Sequence, residues 1–542
     1  MRHFVAALAV LALGTACSSA PPAAARSHRP ALIVTIAVDQ LRADLLDRYD
    51  AVFTGGFRRL RDHGRRFTNT YVDHAPTTSF PGHTTIATGC NPAKHGIVAG
   101  GWPEYLGDGK FRGIEPARDD AESTPGFPSI PGASPRRILA PALADWVMDA
   151  DPASRIVAVG GGEFSSLLHA GHTHQVTYWF NSEAGEFVTS TYYTKSVPEW
   201  VARFNREELP KYRDVDAWNC SVPEQQRSLA LPDAEPFEFD GVHTHFPHRV
   251  ADEAAAQGVP ASQAHAEWYT WTPQQDEATF ALAERAIDEL HLGSRGHTDS
   301  LSIVASSVDS VGHRYGPFSL EQLDTLVRLD RDLDVLFRLL DERLGKDGWT
   351  VALTADHGVD DVPEHLRELG VPGRRLTPAE LDQAMDAAFA ITHTLATPEQ
   401  ALAVKSALER FDFIARVLTP SELVAPPNGD VIADLFRHSY RPDRVPVTVA
   451  GSHGSLARLG MVAVLKPHVI TDAPANHSSP YDYDRHVPLI FYGAGVKPGI
   501  DARGAHTTDV APTLAALGGI RAPKTIDGRA LCHPERSEGP GW

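Results

Sequence analysis

The sequence predicts an α/β protein with a doubly wound, mostly parallel sheet that is covered by helices on both faces. Three observations indicate this fold: short uninterrupted apolar runs, helical segments between them, and acidic residues where several of the runs end. Apolar runs without alternation are typical of strands buried on both faces. Strands that alternate with helices predict right-handed crossover connections within one sheet.

Five apolar runs are the predicted strands: residues 31–38, 155–159, 301–308, 349–355 and 487–492. An aspartate directly follows three of them, at Asp39, Asp309 and Asp356. In a doubly wound sheet the ligand site lies beyond the carboxyl ends of the strands. Residues far apart in the sequence are therefore expected to converge there.

Helix start signals lie between the strands. Ser134-Pro135 and Thr272-Pro273 each begin a predicted helix, and Ser319 forms a capping box with Gln322 ahead of a third. Two stretches without a sustained period, residues 178–270 and 362–450, are interpreted as insertions that roof the site. The predicted catalytic domain spans residues 31–531, and residues 532–542 form an irregular tail.

The N-terminal 17 residues are interpreted as a secretory signal peptide. A basic start precedes an apolar run, 4–13, that is too short to cross a bilayer. The sequence Gly14-Thr15-Ala16-Cys17 fits a lipoprotein processing site, with residues 18–30 as a linker. We expect export to the periplasm or cell envelope, either with an outer-membrane lipid anchor on Cys17 or with simple cleavage and secretion.

The composition excludes several classes of protein. The chain has 542 residues, a net charge of −19, 42% hydrophobic and 22% charged residues, which is ordinary for a globular protein. An acidic surface repels nucleic acid, so no nucleic-acid partner is expected. Only four cysteines are present, Cys17, Cys90, Cys220 and Cys532, and they do not suit a disulfide-framed scaffold.

Three carboxylates and three imidazoles are predicted to lie at or near strand ends: Asp39, Asp309, His313, Asp356, His357 and His486. Singly, an aspartate at a strand end is more often a turn or cap residue, and a histidine is more often structural. Together they form a ligand set for zinc or a similar divalent ion. Six ligands exceed the need of one tetrahedral ion and suit a pair of ions about 4 Å apart.

Ser79 is the candidate nucleophile. It lies just before Pro81, a residue favoured in the first turn of a helix, where backbone N–H groups favour a phosphoryl or sulfuryl oxygen. A dication bound to the hydroxyl would lower its pKa and supply an alkoxide without a histidine base. The alternative is that Ser79 only caps the helix.

Taken together, the motifs resemble the alkaline phosphatase superfamily, in particular the branch of periplasmic single-chain alkaline phosphatases and nucleotide pyrophosphatase/phosphodiesterases. The similar segments occur in the family's order: residues 37–42, 79–97, 308–313, 354–358, 479–488 and 508–514. They extend over nearly the whole predicted mature chain.

This resemblance implies a hydrolase of small phosphorylated substrates that uses two zinc ions, or another divalent metal, and a phosphoseryl intermediate. The implied ligands are Asp309, His313 and His486 for one ion, and Asp39, Asp356, His357 and Ser79 for the other. Ser79 would attack phosphorus in line, and water would then hydrolyse the intermediate. A sulfatase is argued against because the sulfatase pattern needs arginine where His83 stands.

Three positions depart from the phosphomonoesterases of this branch, in which an asparagine, a lysine and an arginine hold the phosphate oxygens. Here the matching positions are Gly100, Gly162 and Phe164. A diester carries less charge and a second organic group that an apolar wall accommodates. Phosphodiester or nucleotide-type substrates are therefore slightly favoured. The alternatives are a broad-specificity alkaline phosphomonoesterase and an inactive, surface-tethered binding protein.

Overall fold

The computed structural model describes residues 29–452, 454–471 and 473–532, without the side chains of residues 163, 164 and 262. The predicted signal peptide with Cys17, nearly all of the linker, and all of the tail except residue 532 lie outside the described residues. No helix in the described part of the chain is both long and apolar enough to span a membrane. Cys90, Cys220 and Cys532 are free thiols.

A nine-stranded sheet forms the centre of the fold. Its strands are β1 (Leu32–Val38), β2 (Arg65–Phe67), β3 (Ile156–Gly160), β4 (Val176–Asn181), β5 (Glu186–Val188), β6 (Asp299–Ala305), β7 (Trp349–Thr354), β8 (Leu489–Gly493) and β9 (Gly499–Asp501). Their order is β5-β4-β3-β6-β1-β7-β8-β2-β9. Only β5 and β8 run against the other seven strands. The predicted mostly parallel sheet is confirmed.

Helices cover both faces of this sheet. The first thirteen are α1 (Ala43–Arg48), α2 (Gly56–His63), α3 (Ser79–Thr88), α4 (Pro92–His95), α5 (Leu143–Ala150), α6 (Glu163–Ala170), α7 (Glu199–Glu207), α8 (Pro210–Arg213), α9 (Val250–Gln257), α10 (Ala261–Thr270), α11 (Gln274–Glu289), α12 (Ser307–Tyr315) and α13 (Leu320–Leu344). The others are α14 (Pro363–Glu368), α15 (Pro378–Phe389), α16 (Pro398–Leu408), α17 (Pro420–Val424), α18 (Val431–Arg437), α19 (Asp482–Arg485) and α20 (Val510–Leu517).

Strand β1 shows why the sheet is buried on both sides. Val34 and Ile36 pack into a core with α2, α11 and α13, whereas Ile33 and Ala37 pack into a second core with α5 and α20. Because successive side chains of a strand point to opposite faces, an uninterrupted apolar run is what this position requires.

Two sequence predictions differ from the structure in detail. The helix expected from Ser134 begins only at Leu143. The strand expected to reach Val308 ends at Ala305, because the carboxylate of Asp276 accepts hydrogen bonds from the backbone N–H groups of Ser306 and Ser307 and starts α12 there. Asp309 consequently lies in the first turn of α12.

Three two-stranded ribbons lie outside the central sheet and have at least four residues in each strand: Trp102–Gly107 with Lys110–Ile114, Arg118–Thr124 with Phe127–Ala133, and Ile414–Leu418 with Val462–Leu465. The last ribbon packs with α15 and α16 around a small apolar core of its own.

Candidate active site

The candidate site lies beyond the carboxyl ends of three neighbouring strands. Asp39 follows β1, Asp356 lies two residues after β7, and Asp309 follows β6 at the start of α12. Strand β1 pairs with both β6 and β7 in parallel. The three aspartates therefore meet at one edge of the sheet, as the sequence predicted.

The first group of potential metal ligands consists of Asp39, Asp356 and His357, all fully buried. The Nε2 atom of His357 lies 3.5 Å from Oδ1 of Asp39 and 3.2 Å from Oδ2 of Asp356. The Ser79 hydroxyl joins this group, at 3.2 Å from His357 Nε2 and 3.4 Å from Asp39 Oδ1. We call these three ligands the inner group.

A second group consists of Asp309, His313 and His477, and we call it the outer group. The Nε2 atoms of His313 and His477 lie 3.2 Å and 3.8 Å from Oδ1 of Asp309. Asp309 and His313 are one turn apart on α12, so they share one face of the helix. The ring of His477 stacks on that of His357 with 3.8 Å between centroids, which places the two groups side by side.

The structure corrects the prediction for His486. This residue lies outside both groups: its ring stacks on Tyr71, and its Nε2 atom lies 3.2 Å from the carbonyl oxygen of Thr68. His477, nine residues earlier, takes the expected place beside Asp309 and His313. The reason is that His486 leads into β8 and pairs its backbone with Tyr71, whereas the preceding loop extends over the site.

Each histidine of the two groups is oriented by its second ring nitrogen. The Nδ1 atoms of His313, His357 and His477 lie 2.9, 2.9 and 2.7 Å from backbone carbonyl oxygens, those of Ala475, Gly358 and Thr77. A carbonyl oxygen can only accept, so each Nδ1 carries the proton. When the ring is neutral, the Nε2 lone pair therefore points at the carboxylates, which is the arrangement that metal-bound histidines show.

Electrostatics also indicate a site built for positive charge. Burial and the neighbouring carboxylates raise the pKa of Asp39 well above its ordinary value, and burial raises that of Asp356 to about 8. Burial lowers the pKa of His313, but the Asp309 carboxylate outweighs it and the pKa rises to about 9. Burial holds the pKa of His477 well below its usual range. Protons thus stand in for cations among these groups.

Helix α3 places the candidate nucleophile. It begins at Ser79, so the N–H groups of its first turn have no partner within the helix. Gly82 lets this turn approach the inner group, because a Cβ there would lie 2.6 Å from the carbonyl oxygen of Asp356. One turn further, Nε2 of His83 lies 3.5 Å from Oδ2 of both Asp39 and Asp356.

The three expected substrate-binding positions lie around the same end of α3. Gly100 lines a cavity of about 330 Å³ together with Phe80 and Trp179, and a Cβ at Gly100 would meet only the ring of Phe80, at 3.6 Å. Gly162 precedes α6 and its N–H lies 3.1 Å from the Ser165 hydroxyl. Phe164 belongs to α6, but its side chain lies outside the described part of the structure.

Sequence reasoning missed three further residues that contact the groups or their loops. Gln40 donates its backbone N–H to Asp356 and its side-chain amide to Asp309. His83 was considered only for its departure from sulfatases. Asp484 accepts a hydrogen bond from Ser479 N–H at 2.8 Å. The adjacency of Gln40 to Asp39 was a usable signal, whereas the position of Asp484 depends on how the loop folds.

A family comparison places the chain among known hydrolases. Residues 33–447 match the model of the family described as type I phosphodiesterase / nucleotide pyrophosphatase. The match covers the inner group, Ser79 and two of the three outer ligands, and it ends before His477.

Curated relatives and solved structures agree with this match. The chain is 32% identical to alkaline phosphatase PhoV of Synechococcus elongatus, covering 93% of this chain and 92% of that protein. It is 31% identical to alkaline phosphatase PafA of Elizabethkingia meningoseptica, covering 93% and 94%. A crystal structure of wild-type PafA superposes with a TM-score of 0.82 over 93% of this chain and 98% of that one, at 28% identity.

A mutant of PafA is equally similar, with a TM-score of 0.82, 29% identity and coverage of 93% and 98%. Its four substitutions replace one threonine by serine and one asparagine, one lysine and one arginine by alanine.

Proposed function

The chain belongs to the type I phosphodiesterase/nucleotide pyrophosphatase family of phosphate ester hydrolases, and we propose that it acts through Ser79 and two divalent cations, which we take to be zinc. The inner group with Ser79 would hold one cation and the outer group the other. The observation that carries this proposal is the convergence of three Nε2 atoms on carboxylate oxygens. Neutral Nε2 and carboxylate oxygen are both acceptors, so they approach stably only across a cation or a proton.

Ser79 has the main chemical role in the proposed reaction. When bound, two divalent cations supply the positive charge that lowers the pKa of the hydroxyl and offsets charge on the phosphoryl group. The Oγ atom of Ser79 forms a bond to phosphorus while the bond to the leaving oxygen breaks, which gives a phosphoseryl intermediate. Water then attacks phosphorus, releases phosphate or a monoester, and restores the hydroxyl. The N–H groups at the start of α3 stabilise the phosphoryl oxygens.

Phosphodiesters are the substrate class that we favour. Gly100 and Gly162 offer no charged side chain, and two charge-assisted contacts of about 1.5–3 kcal/mol each would be missing for a monoester dianion. The cavity beside Ser79 is walled by Phe80 and Trp179 and, at about 330 Å³, has room for a second organic substituent.

A phosphomonoesterase is the second candidate, since PhoV and PafA are both named alkaline phosphatases. Rates on p-nitrophenyl phosphate and bis-p-nitrophenyl phosphate, measured with and without added zinc, decide between the two. We expect zinc-dependent hydrolysis with the diester rate above the monoester rate. A monoester rate far above the diester rate would establish the second candidate.

Restoring the absent side chains gives a matched test of the substrate argument. Gly100→Asn, Gly162→Lys and Phe164→Arg in one protein should raise the monoester-to-diester rate ratio by at least tenfold. Gly113→Asn, on a nearby ribbon where a Cβ meets no atom within 4 Å, serves as the control and should leave the ratio unchanged. An unchanged ratio in the triple variant would show that these positions do not set specificity.

We also propose that the protein is exported and carries a lipid on Cys17. The support is the apolar run 4–13 followed by Gly14-Thr15-Ala16-Cys17. Mass spectrometry of the mature N-terminus from a membrane fraction tests this directly. An unmodified terminus in the soluble fraction would leave simple cleavage as the explanation.

A further inference from the structure

Gln40 contacts both ligand groups at once. Its backbone N–H lies 3.2 Å from Oδ1 of Asp356 in the inner group, and its Nε2 atom lies 2.5 Å from Oδ1 of Asp309 in the outer group. The residue is fully buried. Its two contacts therefore connect carboxylates that belong to different groups, through a single residue whose own position is fixed by β1.

The backbone at Gln40 adopts a conformation that most residues avoid. Its φ angle is +65°, in the left-handed region that non-glycine residues rarely occupy. Such strain is retained where the surrounding contacts determine the conformation, and it occurs most often at functional sites. Here it turns the N–H toward Asp356 while the side chain extends toward Asp309.

Helix α12 has a matching gap for this side chain. Gly312 lies between the outer ligands Asp309 and His313, and a Cβ at Gly312 would lie only 2.1 Å from the Oε1 atom of Gln40. A larger residue on this turn would push the amide away from Asp309. The fit thus depends on a strained residue on one side and a glycine on the other.

We propose that Gln40 is a positioning residue that holds the two ligand groups in register, with its backbone orienting Asp356 and its side chain orienting Asp309. This inference rests on the proposed metal-binding role of the two groups. Hydrogen bonds to ligating carboxylates fix their orientation, and losing such a partner typically costs 10–100-fold in metal affinity. The side-chain contact concerns only the outer group, so its removal should affect only one of two bound ions.

Gln40→Gly isolates the side-chain contact. Glycine adopts a φ of +65° without strain, so the N–H bond to Asp356 is retained while the amide on Asp309 is lost. Gly312→Ala attacks the same contact from the other side by displacing the flexible amide. Gln275→Ala is the control, because Gln275 is also buried but donates its amide to the carbonyl oxygen of Gly161.

Zinc binding, measured on the full-length protein in chelator buffers of graded free zinc, gives the readout without any hydrolysis assay. The wild type should bind two equivalents. In Gln40→Gly and Gly312→Ala, one equivalent should bind about 10–100-fold more weakly while the other keeps its affinity. Gln275→Ala should bind both as the wild type does.

A double variant assigns the weakened equivalent. His477→Ala should leave only the inner equivalent, and adding Gln40→Gly to it should cause no further change. Equal weakening of both equivalents in Gln40→Gly, or none, would overturn the proposal. A wild type that binds no zinc would refute the proposed metal sites themselves, whereas a wild type that binds zinc but hydrolyses neither ester would refute only the proposed reaction.

Discussion

The Nδ1 atom of His477 lies 2.7 Å from the carbonyl oxygen of Thr77, two residues before Ser79. A ligand of the outer group is therefore oriented by the segment that carries the candidate nucleophile, although the Ser79 hydroxyl itself lies beside the inner group. The stacking of His477 on His357 adds a second connection. The two groups and the nucleophile form one packed unit, so a change in one should affect the others.

Replacing His477 should remove one metal equivalent, whereas replacing His486 should not. His477 supplies an Nε2 atom to the outer group, but His486 stacks on Tyr71 outside it. We expect His477→Ala to retain one zinc per chain and His486→Ala to retain two, as measured by elemental analysis after dialysis. The two variants control for each other, and the reverse result would restore the original sequence prediction.

Ser79→Ala should abolish turnover while leaving the metal content close to that of the wild type. The hydroxyl is one of several contacts of the inner group, but it is the proposed nucleophile. Loss of a nucleophile costs about three orders of magnitude or more in rate.

Ser79→Thr keeps a hydroxyl at the same position and is the matched control for that variant. It should retain measurable activity on the preferred ester. Full activity in Ser79→Ala would remove Ser79 from its proposed role, whatever the metal content.

Most of the candidate site was predictable because parallel strands end at one edge of the sheet. Asp39, Asp309 and Asp356 follow adjacent parallel strands and were identified from that rule alone. His486 was misplaced because β8 runs antiparallel, so its beginning also lies at this edge and a histidine there satisfies the same rule. Choosing His477 instead requires the path of the loop before β8, which has no periodicity to read.

Asp484 should prove important for stability. It is fully buried, its Oδ2 atom accepts from the N–H of Ser479 at 2.8 Å and contacts the Thr77 hydroxyl at 3.3 Å, and its carbonyl oxygen accepts from the N–H of Gly358. The segments carrying Ser79, His357 and His477 therefore meet at this residue. Asp484→Ala leaves a buried N–H without its acceptor, which costs about 1–3 kcal/mol.

Asp482→Ala on the same helix is the control for Asp484→Ala, since the Asp482 side chain is 77% exposed. Its free energy of unfolding should change by no more than about 0.5 kcal/mol. Denaturant unfolding of both variants measures the difference. Equal stability of the two variants would show that the contacts of Asp484 contribute nothing beyond an ordinary surface aspartate.

Glu238 should make the protein less stable as the pH rises. It is fully buried, and neither carboxyl oxygen has a hydrogen-bond partner among the described residues. Burial, reinforced by the charge of Glu321, raises its pKa from 4.5 to about 10. Between these two values the folded protein keeps the proton while the unfolded chain releases it, so rising pH favours unfolding by up to about 1.4 kcal/mol per pH unit.

Glu238→Gln mimics the protonated form and removes this titration. We expect its advantage over the wild type in free energy of unfolding to grow by more than about 1 kcal/mol between pH 7 and pH 9, as measured by denaturant unfolding. Glu368→Gln changes an exposed glutamate and should show no such growth. If the difference between Glu238→Gln and the wild type is the same at both pH values, Glu238 is ionised in the folded protein, and its buried carboxylate must have a counter-charge that offsets the loss of hydration.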